Sequence, residues 1–586
     1  MHTFNGSDAD SVTSVSDITD KLNLKARGKL RQPAPLLISS LGTSVPEAPH
    51  AVSVCMPAWQ DNVDYEEGRA RVHDQLQSGY PRFCFHRAVK VLAKLGLVMA
   101  GLDGTTHGCL CLPAEWIAKR CRDFILARAS LDESLRGSND DAVQIHLLDF
   151  QPEAIKLPTV AVVTYPVSLQ AIAKSYWQHS GEIVSSRLAE RLVKEAVLQT
   201  KRQWPAELLQ ELQATAGVEQ DREEVDEFIE EHFGRNLIAD GATAKLRIRQ
   251  RLAALVEHDP RDVFLYPTGM NAIFAAFQLL HQQHPTRKSI MFGFPYLDTL
   301  KILQKFGPGA YFLGQGDEQD MQELERLLRT EPILAVFCEV PSNPLCKTPD
   351  LKRLAALAHH HGAAVVVDDT IGNPYNVRVH PHADLVATSL TKLFSGASNV
   401  MGGSIVVSKH SPQYLELHSR LQATFEDTYF DDDAIFLERN SRDFQTRAQL
   451  ANKNTEKLCD FLREQPLLRE IHFPKFSCLD QYLGCKLERG GYGSLFSIVF
   501  DNDKQAQIFF DALNVNKGPS LGTNFTLCCP YTILAHYTEL DFAQQYGISS
   551  TLVRVAVGLE EYQSIRSAFE CALAALSASK ASESEK

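Results

Sequence analysis

Two spacings of apolar residues alternate along this 586-residue chain. From about 232 to 410, short apolar runs rich in β-branched and aromatic residues are separated by segments whose apolar positions recur every three or four residues. The short runs are "VFLYP", "KSIMFGFP", "AYFLG", "ILAVFCEVP", "AAVVVDDT", "ADLVATS" and "GGSIVVS". The segments between them include "TAKLRIRQRLAALVEH", "NAIFAAFQLLHQQH", "DMQELERLLRT" and "PDLKRLAALAHHHG". Runs that are apolar throughout, joined by amphipathic helices, predict an α/β domain around a mainly parallel central sheet.

The flanks read differently. Residues 1–34 are polar and predict a disordered N-terminus. Residues 35–231 predict an α/β N-terminal extension with a helical connection. In it "HAVSVCMPAW" and "TVAVVTYP" read as strands, and "HRAVKVLAKLGL" and "EWIAKRCRDFILARASL" as helices. The polar run "GVEQDREEVDEF" leads into the next unit. After 410 the helical patterns lengthen, and "GSLFSIVF" and "TLVRVAVGL" read as strands. These predict a smaller C-terminal α+β domain over 411–576, followed by a polar tail over 577–586.

Composition narrows the function classes. The chain is 44% hydrophobic and 22% charged, with a net charge of −13. That is ordinary for a soluble domain protein, and the lack of a basic block argues against a nucleic-acid partner. No apolar run reaches the length of a membrane span, and no signal or lipidation motif is apparent, so a cytosolic protein is expected. The 13 cysteines are scattered. The pairs Cys109/Cys111 and Cys528/Cys529 have no second pair at zinc-finger spacing, and Cys84 beside His86 has none either. Buried thiols are the expectation.

In an open parallel sheet, ligands gather at the carboxyl ends of the strands. Asp368 and Asp369 end "AAVVV". Gly269 and Met270 open a helix after "YPT", where amide groups favour an anion. Ser389 and Thr391 offer two hydroxyls on one side of an extended segment before Lys392. Tyr296 and Asn343 follow two other strand ends. Each has an ordinary alternative as a cap, turn or packing residue. Together they match one ligand. A flat ring needs a stacking aromatic, its nitrogen a carboxylate, its phosphate amides and hydroxyls, and its aldehyde a dry lysine. That ligand is pyridoxal 5′-phosphate, PLP.

The motifs "FGRN", "YPTGM", "FGFPYLDTLKILQKFGPG", "FCEVPSNPL", "VVVDDTIGN", "SLTKLFSGASNVMGG", "KGPSLGTNFTLCCPY" and "LVRVAVGLEE" resemble the PLP enzymes of cysteine and methionine metabolism, of the aspartate-aminotransferase fold type. Within these the chain is most similar to fungal cystathionine γ-synthases, whose N-terminal extension "PHAVSVCMPAW" and "GYPRFCFH" also resemble. The resemblance implies that Lys392 bonds to the cofactor aldehyde and that Asp368 partners the ring nitrogen. It implies that Tyr296 stacks on the ring and that Asn343 bonds the ring hydroxyl. Gly269, Met270, Ser389 and Thr391 then hold the phosphate, and Arg235 reaches the phosphate of a neighbouring copy. That sharing implies a homo-oligomer, usually a tetramer. Arg554, with the Ser520 region, is implied to hold a substrate α-carboxylate.

Four positions depart from the family pattern: Phe233 replaces a phosphate-binding tyrosine, and Asn271, Ala397 and Asp369 differ from the usual residues. The implied reaction is γ-replacement on an activated homoserine with cysteine, giving cystathionine. Sulfide or a carbon nucleophile, a lyase reaction and a non-catalytic PLP fold are the alternatives.

Overall fold

The computed structural model describes residues 39–79, 83–132, 135, 142–148, 150, 157–198, 204–216 and 240–584. The expected disordered N-terminus, the run "GVEQDREEVDEF", Phe233 and Arg235 lie outside the described residues. All the described residues belong to one unit spanning Ile38–Lys586.

The N-terminal extension is built on three strands, β1 (His107–Leu112), β2 (Gln144–Leu148) and β3 (Val160–Pro166), in the order β1-β3-β2. Both pairings are antiparallel. Helices α1 (Arg87–Met99), α2 (Glu115–Leu131), α3 (Gln170–Ser180) and α4 (Ser186–Leu198) cover its two faces. Val160 and Val162 point to α1 and α4, whereas Ala161 and Val163 point to α2 and α3. This is the two-residue alternation of a strand.

"TVAVVTYP" is β3, as its pattern predicts. "HAVSVCMPAW" is not a strand: only Val54 bridges, to Ser44. Its backbone bonds instead to its own turn, with Val45 donating to Ser53, and to a distant loop, with Val52 donating to Ser398 at 2.8 Å. The Cys109/Cys111 run is β1, with Cys111 in the core and Cys109 packed against it. All 13 cysteines are free, and no potential metal cluster occurs among the described residues. His86 caps α1 by accepting from the Ala88 amide, which gives it a structural task beside Cys84.

The seven runs of the 232–410 region are all strands: β4 (Val263–Tyr266), β5 (Ser289–Phe292), β6 (Ala310–Leu313), β7 (Ala335–Glu339), β8 (Ala364–Asp368), β9 (Leu385–Ser389) and β10 (Gly403–Val407). Their order is β4-β10-β9-β8-β7-β5-β6. β6, β5, β7, β8 and β9 are joined by parallel pairings, while β10 runs antiparallel to both its neighbours. The sheet is covered on both faces. Phe337 and Val366 enter one cluster, and Val336, Cys338, Val365 and Val367 the other. This double burial is why the strands read as continuous apolar runs.

Helices α5 (Gly269–His281) and α6 (Leu297–Lys305) follow β4 and β5, and α7 (Asp431–Asn440) and α8 (Phe444–Arg463) follow the sheet. A second sheet holds β11 (Glu470–His472), β12 (Leu495–Val499), β13 (Asn516–Lys517), β14 (Leu527–Cys529) and β15 (Leu552–Ala556), in the order β11-β12-β15-β14-β13. The short helix α9 (Tyr531–His536) leaves β14. The closing helix, Tyr562–Ser584, runs on through most of the polar tail. No helix among the described residues is long and apolar enough to cross a membrane.

Candidate active site

The carboxyl ends of β7, β8 and β9 open into one cavity, closed from the other side by β14, β15 and α9. Gly269, Met270, Tyr296, Asn343, Asp368, Ser389, Lys392 and Arg554 all line it. The first seven of these, scattered along the sequence, converge because strands of the central sheet end at the same edge, and Arg554 reaches them from β15 of the second sheet.

Lys392 follows β9 in a tight turn, whose Leu390 amide donates to Gly402. Arg447 of α8 braces that turn, donating to the carbonyls of Leu393 and Phe394, both at 2.8 Å. The lysine Nζ lies 3.4 Å from the Ser520 hydroxyl. Ser520 gets this close because Gly522 holds a left-handed φ of +66°, where a Cβ would stand 2.6 Å from the Leu393 amide nitrogen. Burial, then the nearby Arg554 charge, lowers the Lys392 amine from 10.5 to about 7, against the pull of Asp368. An amine that titrates near neutrality can act both as nucleophile and as proton carrier.

Asp368 ends β8, and its carboxylate accepts from the Thr370 amide at 2.8 Å. The Thr370 hydroxyl in turn accepts from the Ser389 amide at 2.8 Å. Burial raises Asp368, while the Thr370 bonds and Lys392 oppose that rise. Asp369 points away from the cavity. It accepts from the Thr388 hydroxyl at 2.5 Å, and burial pushes it up to about 7.

Glu339 is the residue that sequence reasoning missed. It ends β7 and sits in register beside Asp368. Its carboxylate accepts from the Tyr296 amide at 2.6 Å and the Asn343 amide at 3.0 Å. One buried acid thus fixes two of the expected ring contacts. Burial, and then the neighbouring Asp368, raise it well above the usual carboxylate range. The available signal was an acid ending an apolar strand, the same pattern that picked out Asp368.

Arg554 projects from β15 and is 4% exposed, so its charge needs partners. It donates to the carbonyls of Pro519 at 2.6 Å and Ser520 at 3.1 Å, and to Asn343 Oδ1 at 3.3 Å. Its guanidinium lies 4.9 Å from the Tyr531 ring centre. Thr391 is not brought to the cavity. Its hydroxyl is engaged by Gly402, donating to the carbonyl and accepting from the amide at 3.1 Å. Asn271 also faces away, toward a second cavity lined by Trp116 and Arg120 of α2.

The cavity fits PLP on its own geometry. The N-terminus of α5, capped by Thr268, presents free amides at Gly269 and Met270. A Cβ on Gly269 would stand 2.5 Å from the Ser389 Cβ, so only glycine allows the approach. Beside it, the buried Ser389 hydroxyl has no hydrogen-bond partner among the described residues. An orphaned hydroxyl at a helix N-terminus suits a phosphate. The Asp368 carboxylate, the Tyr296 side chain and the Lys392 amine line that same cavity, the three kinds of group that a pyridine nitrogen, a ring face and an aldehyde call for.

Comparisons with known proteins agree. The family profile described as Cys/Met metabolism PLP-dependent enzyme matches residues 198–574, and that of the fungal trans-sulfuration enzyme N-terminal domain matches 88–185. The cystathionine gamma-synthase of Neurospora crassa is 40% identical over 91% of this chain and 98% of its own. The cystathionine gamma-synthase-like enzyme iboG2 of Amanita muscaria is 36% identical over 92% and 97%. The crystal structure of cystathionine gamma synthase from Xanthomonas oryzae pv. oryzae shares the fold, with a TM-score of 0.50 at 22% identity over 57% of this chain and 86% of that one. The chain therefore belongs to the Cys/Met-metabolism family of PLP-dependent enzymes and is a cystathionine γ-synthase-like transferase.

Proposed function

We propose that the protein catalyses γ-replacement on an O-acyl homoserine with L-cysteine, forming L-cystathionine. The Cγ–O bond breaks, the carboxylic acid leaves, and the cysteine sulfur bonds to Cγ with loss of its proton. One observation carries the reading. A lysine amine lowered to about 7 shares a cavity with a buried arginine whose guanidinium is fixed by Pro519, Ser520 and Asn343.

PLP, when bound, supplies an electron sink for charge developing on the substrate carbons. The chain's residues do the rest. Arg554 binds the α-carboxylate and so orients Cα toward Lys392. The Lys392 amine takes the Cα proton and moves protons at Cβ. The Ser520 hydroxyl, 3.4 Å from Nζ, directs the amine. Glu339 holds Tyr296 and Asn343 in place. Arg235 of a neighbouring copy would complete the phosphate end in a homotetramer, which light scattering of the native protein and loss of cofactor in Arg235→Ala would test together.

A second reading is a nucleophile other than cysteine. Among the described residues, Phe83, Leu534 and Ala535 form an apolar wall with no charged side chain of their own to pair with cysteine's ammonium and carboxylate. The test is mass spectrometry of products from O-acetylhomoserine with cysteine, with sulfide, with a carbon acid, and alone. Cystathionine from the native enzyme but not from Lys392→Ala supports the first reading. Cofactor binding with product only from another nucleophile selects the second. Release of 2-oxo acid without thiol indicates a lyase.

A further inference from the structure

The proposed chemistry leaves the N-terminal extension without a task. Yet one of its residues, Phe83, lines the active cavity. The Tyr65 hydroxyl donates to the Phe83 carbonyl at 2.9 Å, and the two rings lie 5.8 Å apart. Tyr65 is itself stacked on His73, with centroids 4.8 Å apart. Phe83 packs against a cluster that mixes extension residues, such as Met56 and Val72, with Cys529, Tyr531 and Leu534. Those last three line the cavity too, and Tyr531 sits beneath Arg554.

The same extension braces the loops that carry the reactive groups. The Val52 amide donates to the Ser398 carbonyl at 2.8 Å, in the loop after Lys392. Lys517, just before Pro519 and Ser520, donates to the Pro57 carbonyl at 3.4 Å. The Tyr537 hydroxyl, just past α9, donates to Glu67 at 2.9 Å. The extension is thus held against both sides of the site, and Phe83 is held by it.

We propose that Phe83 is a specificity-determining residue. Its ring forms the wall that limits the size of the amino-acid side chain or nucleophile admitted on the Tyr531 side, and the extension exists in part to supply that wall. The role of cysteine rests on the reaction proposed above; the size limit does not. A rigid aromatic ring anchored through its own backbone sets a sharper limit than a flexible chain would.

The test uses full-length holoenzyme and reads the bound-cofactor absorbance during titration with L-alanine, L-norvaline and L-phenylalanine. Phe83→Ala is expected to raise the affinity for phenylalanine relative to alanine at least about ten-fold, the scale of a few methylenes in an apolar pocket. Phe83→Trp is expected to lower the affinity for norvaline relative to alanine. Tyr65→Phe, which keeps both rings and removes only the hydrogen bond, is expected to give a smaller shift in the same direction as Phe83→Ala. The ratio of kcat/KM for an aryl thiol to that for cysteine should rise in Phe83→Ala as well. An equal change for all three amino acids, or no change, overturns the proposal and leaves Phe83 a packing residue. A native enzyme that makes no cystathionine yet shows the size-dependent shifts overturns the proposed reaction and supports the wall.

Discussion

Replacing Lys392 by methionine should stabilise the cofactor-free protein, and by an amount that depends on pH. The lysine amine titrates at 10.5 when free and at about 7 in the fold. At about 1.4 kcal/mol per pH unit, that gap works against the folded state by about 5 kcal/mol when the amine is charged in both states. Below pH 7 the full penalty stands. Between 7 and 10.5 the folded amine is neutral while the unfolded one is charged, so the penalty shrinks as pH rises. Above 10.5 it is gone. Methionine keeps the length and apolar stem. The pull of Asp368 is already contained in that gap, and the exposure of the lysine to water in the cavity reduces the expected gain to about 3 kcal/mol at pH 7. With an unfolding entropy of about 2 cal/mol/K per residue, a chain of this size should melt about 2–3 °C higher. Calorimetry of the cofactor-free native and Lys392→Met proteins at pH 7, 8, 9 and 10 measures this. A melting difference that does not shrink with pH would refute the reasoning, because only a buried, neutralised amine gives that slope.

Three further outcomes follow from the same cavity. Ser389→Ala should stabilise the cofactor-free protein by about 1 kcal/mol, since it removes an orphaned hydroxyl, while weakening PLP affinity in absorbance titrations. Loss of stability without loss of affinity would give Ser389 a packing role instead. Gly269→Ala should do both kinds of harm, because its Cβ would stand 2.5 Å from that of Ser389; melting should fall and the bound-cofactor band weaken together. Arg554→Lys should lower kcat/KM for the amino-acid substrate about 10- to 100-fold, mainly through KM, because an ammonium cannot reproduce the guanidinium's paired bonds.

The fold was legible in the sequence wherever a segment's surroundings were uniform. Strands buried on both faces read as unbroken apolar runs, so all seven strands of the central sheet could be placed. "HAVSVCMPAW" has the composition of a strand, but its amides bond to its own turn and to the Ser398 loop, contacts set by a region more than 300 residues away in sequence. β1 was not read as a strand, because thiols stand at the alternate positions where its partner β3 carries valines, although a covered strand holds either. The central-sheet side of the cavity was legible for the same reason as the sheet, since Gly269, Met270, Tyr296, Asn343, Asp368, Ser389 and Lys392 end or follow its strands, whereas Arg554, inside β15, came only from the family resemblance. Thr391 shows where that rule fails. A hydroxyl next to a reactive lysine suits a phosphate, but a backbone carbonyl and amide at Gly402 lie closer and claim it. Glu339 shows the converse. Its meaning comes from the register that sets it beside Asp368 and from two amides, of Tyr296 and Asn343, that converge on it. Phe83 is the extreme case. Nothing local marks it, because it reaches the cavity only when the extension, α9 and the Lys392 loop are assembled. Chemistry that resides in a residue type at a strand end can be read from sequence; selectivity that resides in which surfaces close around it cannot.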